Sequence, residues 1–307
     1  MVSTRSHRQT EDTKSAEPPK KRLKSSPLLS DRSEQTSSLN SKKKLPPPSR
    51  AATAATSKHK KLFEEEQETP EALKSRRKNI GKKMSPGDGQ LDYTLTEPEP
   101  FRDPVSLEFI FPEYPRFKPN LSPQEIIRRG AFDGGYFRPV QSQKTGRELH
   151  EDWNDLPFDE WLNGLDSSMY LTRPEGEFKD SVNHWKAFVG QPYNEWEKNG
   201  WIREEHDARG WFQWYCRFWR GRRCEDDERQ IGRWDRVAGE ASGRWRRILL
   251  EKYRKQGFVE PNEEEVSPGI RQTLNHWAFD PTTEALNRFR EEKGDLVADE
   301  DADENSE

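Results

Sequence analysis

All eleven tryptophans of this chain lie between Trp153 and Trp277, so the side chains best able to build a core are gathered in its second half. Aromatic residues bury more area than any others, and this many of them demand an interior. Composition sharpens the limit. Of 307 residues, 30% are hydrophobic and 35% are charged, too few apolar groups to fill two ordinary cores. The expectation is a mainly α protein with a single Trp-rich helical domain over 120–290. An extended or short-strand lead-in at 91–119 precedes it, with a long disordered basic tail at 1–90 and a short acidic tail at 291–307.

The densest stretch is GWFQWYCRFWRGRR at 210–223. Wound as a helix at 100° per residue, it places Trp211, Phe212, Trp214, Tyr215, Cys216, Phe218 and Trp219 over an arc of roughly 200°. Gln213, Arg217 and Arg220 are left on a narrow polar edge. A helix that is apolar over more than half its girth is a central core element, so Trp211, Trp214, Tyr215 and Phe218 are expected inside and not on a surface that stacks on nucleic acid.

The next helical stretch divides differently. Ile231, Trp234, Val237 and Ala238 form its buried side, while Arg229, Arg233 and Arg236 fall together on the other side, with Arg222 and Arg223 in the preceding turn. Arginine carries a planar, permanently charged fork that suits phosphate or carboxylate. These five are the candidate residues for binding a partner or nucleic acid, and Arg244, Arg247, Arg254 and Lys255 make a second basic edge. The alternative is internal pairing with the acidic region, because residues 91–215 carry a net charge of −9.

Around these helices the chain is punctuated. Ser122–Pro123, Ser267–Pro268 and Asp280–Pro281 have the chemistry of helix starts, and Gly130, Gly200 and Gly257 that of helix ends. Alternating apolar residues over 91–111, interrupted by prolines, predict one or two short strands. In GAFDGGYF at 130–137 the glycines serve a tight turn that carries Tyr136 and Phe137 into the core; the run lacks the lysine and spacing of a phosphate loop.

Catalytic motifs are sparse. The acids at 225–228 read as a helix start, with Asp227 and Gln230 at capping-box spacing. His150, His184, His206 and His276 are scattered, and the two cysteines, Cys216 and Cys224, lack zinc-ligand spacing. Neither a metal nor a cofactor is expected, no catalytic residue can be named, and a reduced intracellular setting suits the cysteines. No run approaches the roughly 20 apolar residues that span a bilayer.

The basic tail, net +10 over 1–90, contains PPKKRLK at 18–24. Lys20, Lys21, Arg22 and Lys24 follow two prolines that hold the backbone out of a helix, and together they resemble a monopartite nuclear localisation signal. Weaker basic clusters lie at 42–44 and 74–83.

Five blocks, GAFDGGYFRPV, GWFQWYCRFWRGRR, DDERQIGRW, GRW and SPGIRQTLNHWAF, together resemble the signature of an uncharacterised family of eukaryotic, largely fungal proteins. The resemblance covers about half of the chain. It implies no activity and bears on domain boundaries alone. The residues therefore predict a nuclear, non-enzymatic binding module that meets an import receptor and either nucleic acid or an acidic nuclear protein, away from membranes. The alternatives are a scaffold that binds only proteins, or an enzyme assembled around Arg138, His184 and the segment at 226–229.

Replacing Lys20, Lys21, Arg22 and Lys24 together with alanine is expected to leave a tagged chain largely cytoplasmic. Fluorescence microscopy reads the nuclear-to-cytoplasmic ratio, and an unchanged ratio would remove the signal from these four residues.

Overall fold

The computed structural model describes residues 68–150, 152–176, 182–262 and 265–295, which belong to one compact unit, Arg50–Glu307. Lys20, Lys21, Arg22 and Lys24 lie outside the described residues, as does the acidic end beyond 295. Among those described, helices dominate: α1 (Pro70–Arg77), α2 (Pro123–Arg128), α3 (Phe158–Trp161), α4 (Ser167–Tyr170), α5 (Tyr193–Lys198), α6 (Trp211–Trp219), α7 (Asp227–Ala238), α8 (Arg244–Lys255), α9 (Pro268–His276) and α10 (Thr283–Lys293). Six two-residue strands pair antiparallel: β1 (Lys83–Met84) with β2 (Tyr93–Thr94), β3 (Phe101–Arg102) with β4 (Phe109–Ile110), and β5 (Val140–Gln141) with β6 (Glu148–Leu149). The protein is mainly α.

Several boundaries follow local chemistry. Ser122 and Glu125 form a reciprocal capping box at the start of α2, and Pro123 supplies the fixed φ of the first turn. At Gly200 and Gly257 the backbone turns left-handed. Trp201 N–H then reaches Trp196 O at 3.0 Å, and Phe258 N–H reaches Tyr253 O at 3.2 Å, the long closing bond of a Schellman cap. Two starts differ from the sequence reading. α10 begins at Thr283, capped by Thr282 Oγ1 on Ala285 N–H at 3.1 Å, because Pro281 stays in the connection. Asp227 sits inside α7, where its carboxylate accepts from Trp214 Nε1 at 2.8 Å and Cys224 N at 3.0 Å, so it ties two helices together instead of forming a box with Gln230.

The core is built around α6, whose residues from Trp211 to Phe218 are all buried. Phe117 packs at its centre, with ring centroids 5.7 Å from Trp214, 5.6 Å from Phe218 and 5.0 Å from Trp234 of α7. Trp214 and Phe218 stack at 4.7 Å. Helix α8 lies against α7, α9 and α10 and closes the other side, through Leu249, Leu250 and Tyr253. The turn at 131–134 delivers Tyr136 and Phe137 to the interior. Gly134 there has φ +69°, and a Cβ on it would meet Met169 O at 1.9 Å, an approach only glycine allows.

The fold starts earlier than the sequence indicates. Residues 68–90 were expected in the disordered tail, yet α1 and β1 are formed and Met84 and Gln90 are buried. The segment has no apolar face because polar groups hold it. Gly81 N–H donates to Leu95 O at 2.8 Å, and Gln90 Oε1 accepts from Ala208 N at 3.2 Å and Arg217 Nη1 at 2.8 Å. The lead-in at 91–119 carries three strands and is core, not a lining of it: Leu95 and Phe117 are fully buried, with Phe109 and Phe111 nearly so. At its join to α6, Thr96 and Glu97 N–H both donate to Gly221 O. Gly221 has φ +104°, and any Cβ would stand 1.9 Å from Glu97 O.

A chain begun at residue 120 therefore loses Phe109, Phe111 and Phe117, each worth about 1.5–3 kcal/mol of burial, against a usual total stability of about 5–15 kcal/mol. We expect it to show no cooperative thermal transition by near-ultraviolet circular dichroism, whereas the full chain does. A sharp transition in the shortened chain would return the boundary to 120.

Candidate functional site

Arginines from Arg209 through α7 include two sets, and their surroundings decide what each can do. The first set points inward. Arg209, at the entry to α6, places Nε 2.8 Å from Asp152 Oδ2 and Nη2 2.8 Å from Asp152 Oδ1, and its remaining donors reach the carbonyls of Tyr136, Arg138 and Leu149. Arg217 holds Asp155 through Nε at 2.8 Å and Asp207 through Nη1 at 3.1 Å. Arg222 closes on Asp207 with Nη2 2.6 Å from Oδ2. Gln213 bonds Asp152, and Tyr93 donates its hydroxyl to Asp155. All six ionic side chains are almost completely removed from water.

Charge is balanced in this network, three guanidinium groups against three carboxylates. Burial acts to lower the pKa of Arg217, but Asp155 and Asp207 overcome it and hold the group above its ordinary value; Arg222 is shifted the same way by Asp207. The three guanidinium charges are paired inside the protein, and Arg220 beside them is buried and donates to Asp155 O at 2.8 Å. The polar edge of the α6 wheel, Gln213, Arg217 and Arg220, is thus a buried seam.

Two candidate binding residues are consequently placed elsewhere than on an open face. Arg222 is buried against Asp207. Arg223 covers the Phe218 ring at 4.0 Å, donates to the Phe218 and Arg222 carbonyls, and has Glu113 at 3.8 Å. For these two the internal-pairing alternative holds, since Asp207 and Glu113 belong to the acidic region 91–215.

The second set lies on α7. Arg229 is half-buried and forms a two-point pair with Asp226, 2.6 Å and 2.7 Å. Arg236 is exposed. Between them Arg233 is half-buried, with its guanidinium 5.4 Å from the ring centroid of Trp201 and 5.4 Å from that of Trp277. Its Nη1 donates to Trp201 O at 3.3 Å and Gln230 Oε1 at 3.0 Å. Its Nε and Nη2 have no acceptor among the described residues, and neither is sealed from solvent. No carboxylate there lies within ion-pair distance of Arg233 or Arg236. Burial, followed by the like charges of Arg229 and Arg236, brings the Arg233 pKa down to about 10, so it remains a cation at neutral pH with its charge uncompensated.

The expected stripe is therefore graded: Arg229 is neutralised, and among the described residues Arg233 is packed against tryptophan rings without an ion-pair partner and Arg236 has none either. The sequence did not indicate the clamp. Trp201 and Trp277 come from segments distant in the chain, and the only local signal was the cap at Gly200 that turns Trp201 back toward Trp196. Arg203 adds a further exposed cation, 3.8 Å from the same Asp226.

The groups considered for an assembled catalytic centre have separate partners. Arg138 donates to Gly135 O and faces Glu175 at 3.8 Å. The His184 ring lies edge-on to Trp185, and Asp226 is held by Arg229 and Gln230. Among the described residues no cluster of three or more His, Cys, Asp or Glu is placed to hold a metal ion, and no helix is long and apolar enough to cross a membrane. Cys224 is half-buried, and burial pushes its thiol up to about 12, so it stays protonated. Comparisons with protein-family models, curated proteins and solved structures return no match.

His276, next to Trp277 in the chain, is buried. It stacks on Phe132 at 4.1 Å, and its Nε2 accepts the Phe132 N–H at 2.9 Å. Burial lowers its pKa from 6.5 to about 3. Between those values the unfolded chain binds more protons than the folded one, so stability falls as pH drops below 6.5, by roughly 1.4 kcal/mol per unit from this group alone. Urea unfolding at a series of pH values should show His276→Gln with a shallower acid slope than wild type. Equal slopes would mean that His276 protonates without opening the fold.

Proposed function

We propose that this chain is a non-enzymatic nuclear binding module whose α7 face, centred on Arg233 and Arg236, meets an anionic partner, either nucleic acid or an acidic nuclear protein. One observation carries the reading. Arg233 is packed against two tryptophans with two donors unused and no carboxylate partner among the described residues. An uncompensated, partly desolvated guanidinium is unfavourable for folding alone, and an arriving anion relieves it. Immobilising the fork beforehand also removes side-chain entropy that binding would otherwise have to overcome. The basic run at 18–24 supports nuclear import, and the basic tail adds sequence-independent attraction to anions.

The test follows from the graded stripe. Arg229 stays, because its loss strands the buried Asp226. Arg233→Gln combined with Arg236→Gln relieves repulsion and should leave the melting temperature unchanged or slightly raised. The full chain is titrated by fluorescence anisotropy at several salt concentrations with two labelled probes, a short single-stranded DNA and an acidic phosphoserine peptide. Wild type is expected to bind at least one, and the double variant to bind it about tenfold more weakly, equivalent to about 1.4 kcal/mol. If DNA is the partner, the slope of log affinity against log salt drops by roughly 0.7 per lost phosphate contact. Binding of neither probe, or binding of both probes unchanged in the variant, would overturn the reading.

A further inference from the structure

Building on that reading, we infer that the α7 face recognises a compact dianion, a phosphomonoester carried on a protein segment, and not an extended polyanion. The fork is already aimed. Because Nη1 is fastened to Trp201 O and Gln230 Oε1, the unbonded donors are Nε and Nη2, which share one edge of the planar guanidinium. Two parallel N–H groups on one edge match two oxygens of one phosphate or carboxylate. The Trp201 and Trp277 rings each lie 5.4 Å from the guanidinium, and an anion meets the unused donors at that edge.

The amount of charge selects within the anions. Arg233 and Arg236 are the two cations of the stripe without a carboxylate at ion-pair distance among the described residues, since Arg229 is neutralised by Asp226. Two uncompensated positive charges match the −1.5 to −2 of a phosphomonoester near neutral pH better than the single charge of a carboxylate.

The extent of charge argues against a polyanion. Residues 91–290 carry a net charge of −6. Glu205, Glu225 and Glu228 are exposed in the loop before α6 and around the start of α7, and Glu228 is paired with Arg116 at 2.6 Å. A nucleic-acid strand running along the domain has to contend with this net negative charge, whereas a single phosphate needs only the two cations. The half-buried Trp196, Trp201 and Trp277 offer apolar surface to the residues beside the phosphate.

The experiment uses the full-length chain with four probes: phenyl phosphate, a phosphoserine peptide, the same peptide without phosphate, and a short single-stranded DNA. Calorimetry on wild type and on Arg233→Gln/Arg236→Gln is expected to show about tenfold tighter binding of the phosphopeptide than of its unmodified twin, competition by phenyl phosphate, and loss of that preference in the variant. DNA binding is expected to be equal in both proteins, since it would run through the basic tail. If instead DNA alone is weakened by the double substitution, the anion-binding face stands and the phosphomonoester inference falls. If no probe distinguishes the variant from wild type, both fall.

Discussion

Six buried ionic side chains hold the domain in register: Arg209, Arg217 and Arg222 against Asp152, Asp155 and Asp207. They join the loop before α6, α6 itself, the turn after it and the segment following β6, and Gln90 and Tyr93 bring in the N-terminal lead-in. Replacing such a network with well-packed apolar residues is often neutral or stabilising, while removing one partner strands a buried charge at a penalty of about 3–5 kcal/mol. Its contribution is therefore better described as specificity than as strength. Each aspartate accepts from fixed donors, and a shift in register would leave a charge without its partner.

This seam explains why α6 can be buried on every side. An amphipathic helix normally turns its polar residues to water. Here the acidic segments around 152–155 and at 207 fold over the polar edge, and the aromatic arc meets Phe117 and Trp277, with Trp234 packed behind Phe117. Trp214 is apolar packing and hydrogen-bond donor together, since its indole N–H meets Asp227. Aromatic burial and ion pairing are thus two faces of one helix.

Sequence alone resolved the features set by near neighbours. The apolar arc of α6, the caps at Ser122, Gly200 and Gly257 and the turn into Tyr136 and Phe137 depend on residues within about one helical turn, and the structure reproduces them. What sequence did not resolve depends on distant partners. Arg217 and Arg233 occupy equivalent polar positions on consecutive helices, yet Arg217 is buried against an aspartate 62 positions away and Arg233 packs against tryptophans from two other segments. Residues 68–90 were misread for the same reason. Their composition lacks an apolar face, and their order comes from backbone pairing with the lead-in and from Gln90, neither of which leaves a periodic signature.

The inward and outward arginines are mechanically connected. The loop from Trp201 to Arg209 ends in the buried network at Asp207 and Arg209, and Asp207 N–H also donates to Arg203 O at 2.8 Å. Its other end presents the Trp201 ring and carbonyl that clamp Arg233. Trp277 is fixed from the opposite side, through its carbonyl on Trp234 Nε1 at 2.8 Å and its ring against Trp211 at 4.6 Å. Both walls of the clamp are therefore anchored in the core, so the position of the free guanidinium edge is set by folding. Rigid placement of a charged fork lowers the entropy of binding to one group and limits adaptation to a long, flexible ligand. An anchored clamp of this kind favours a single anionic group held at one point.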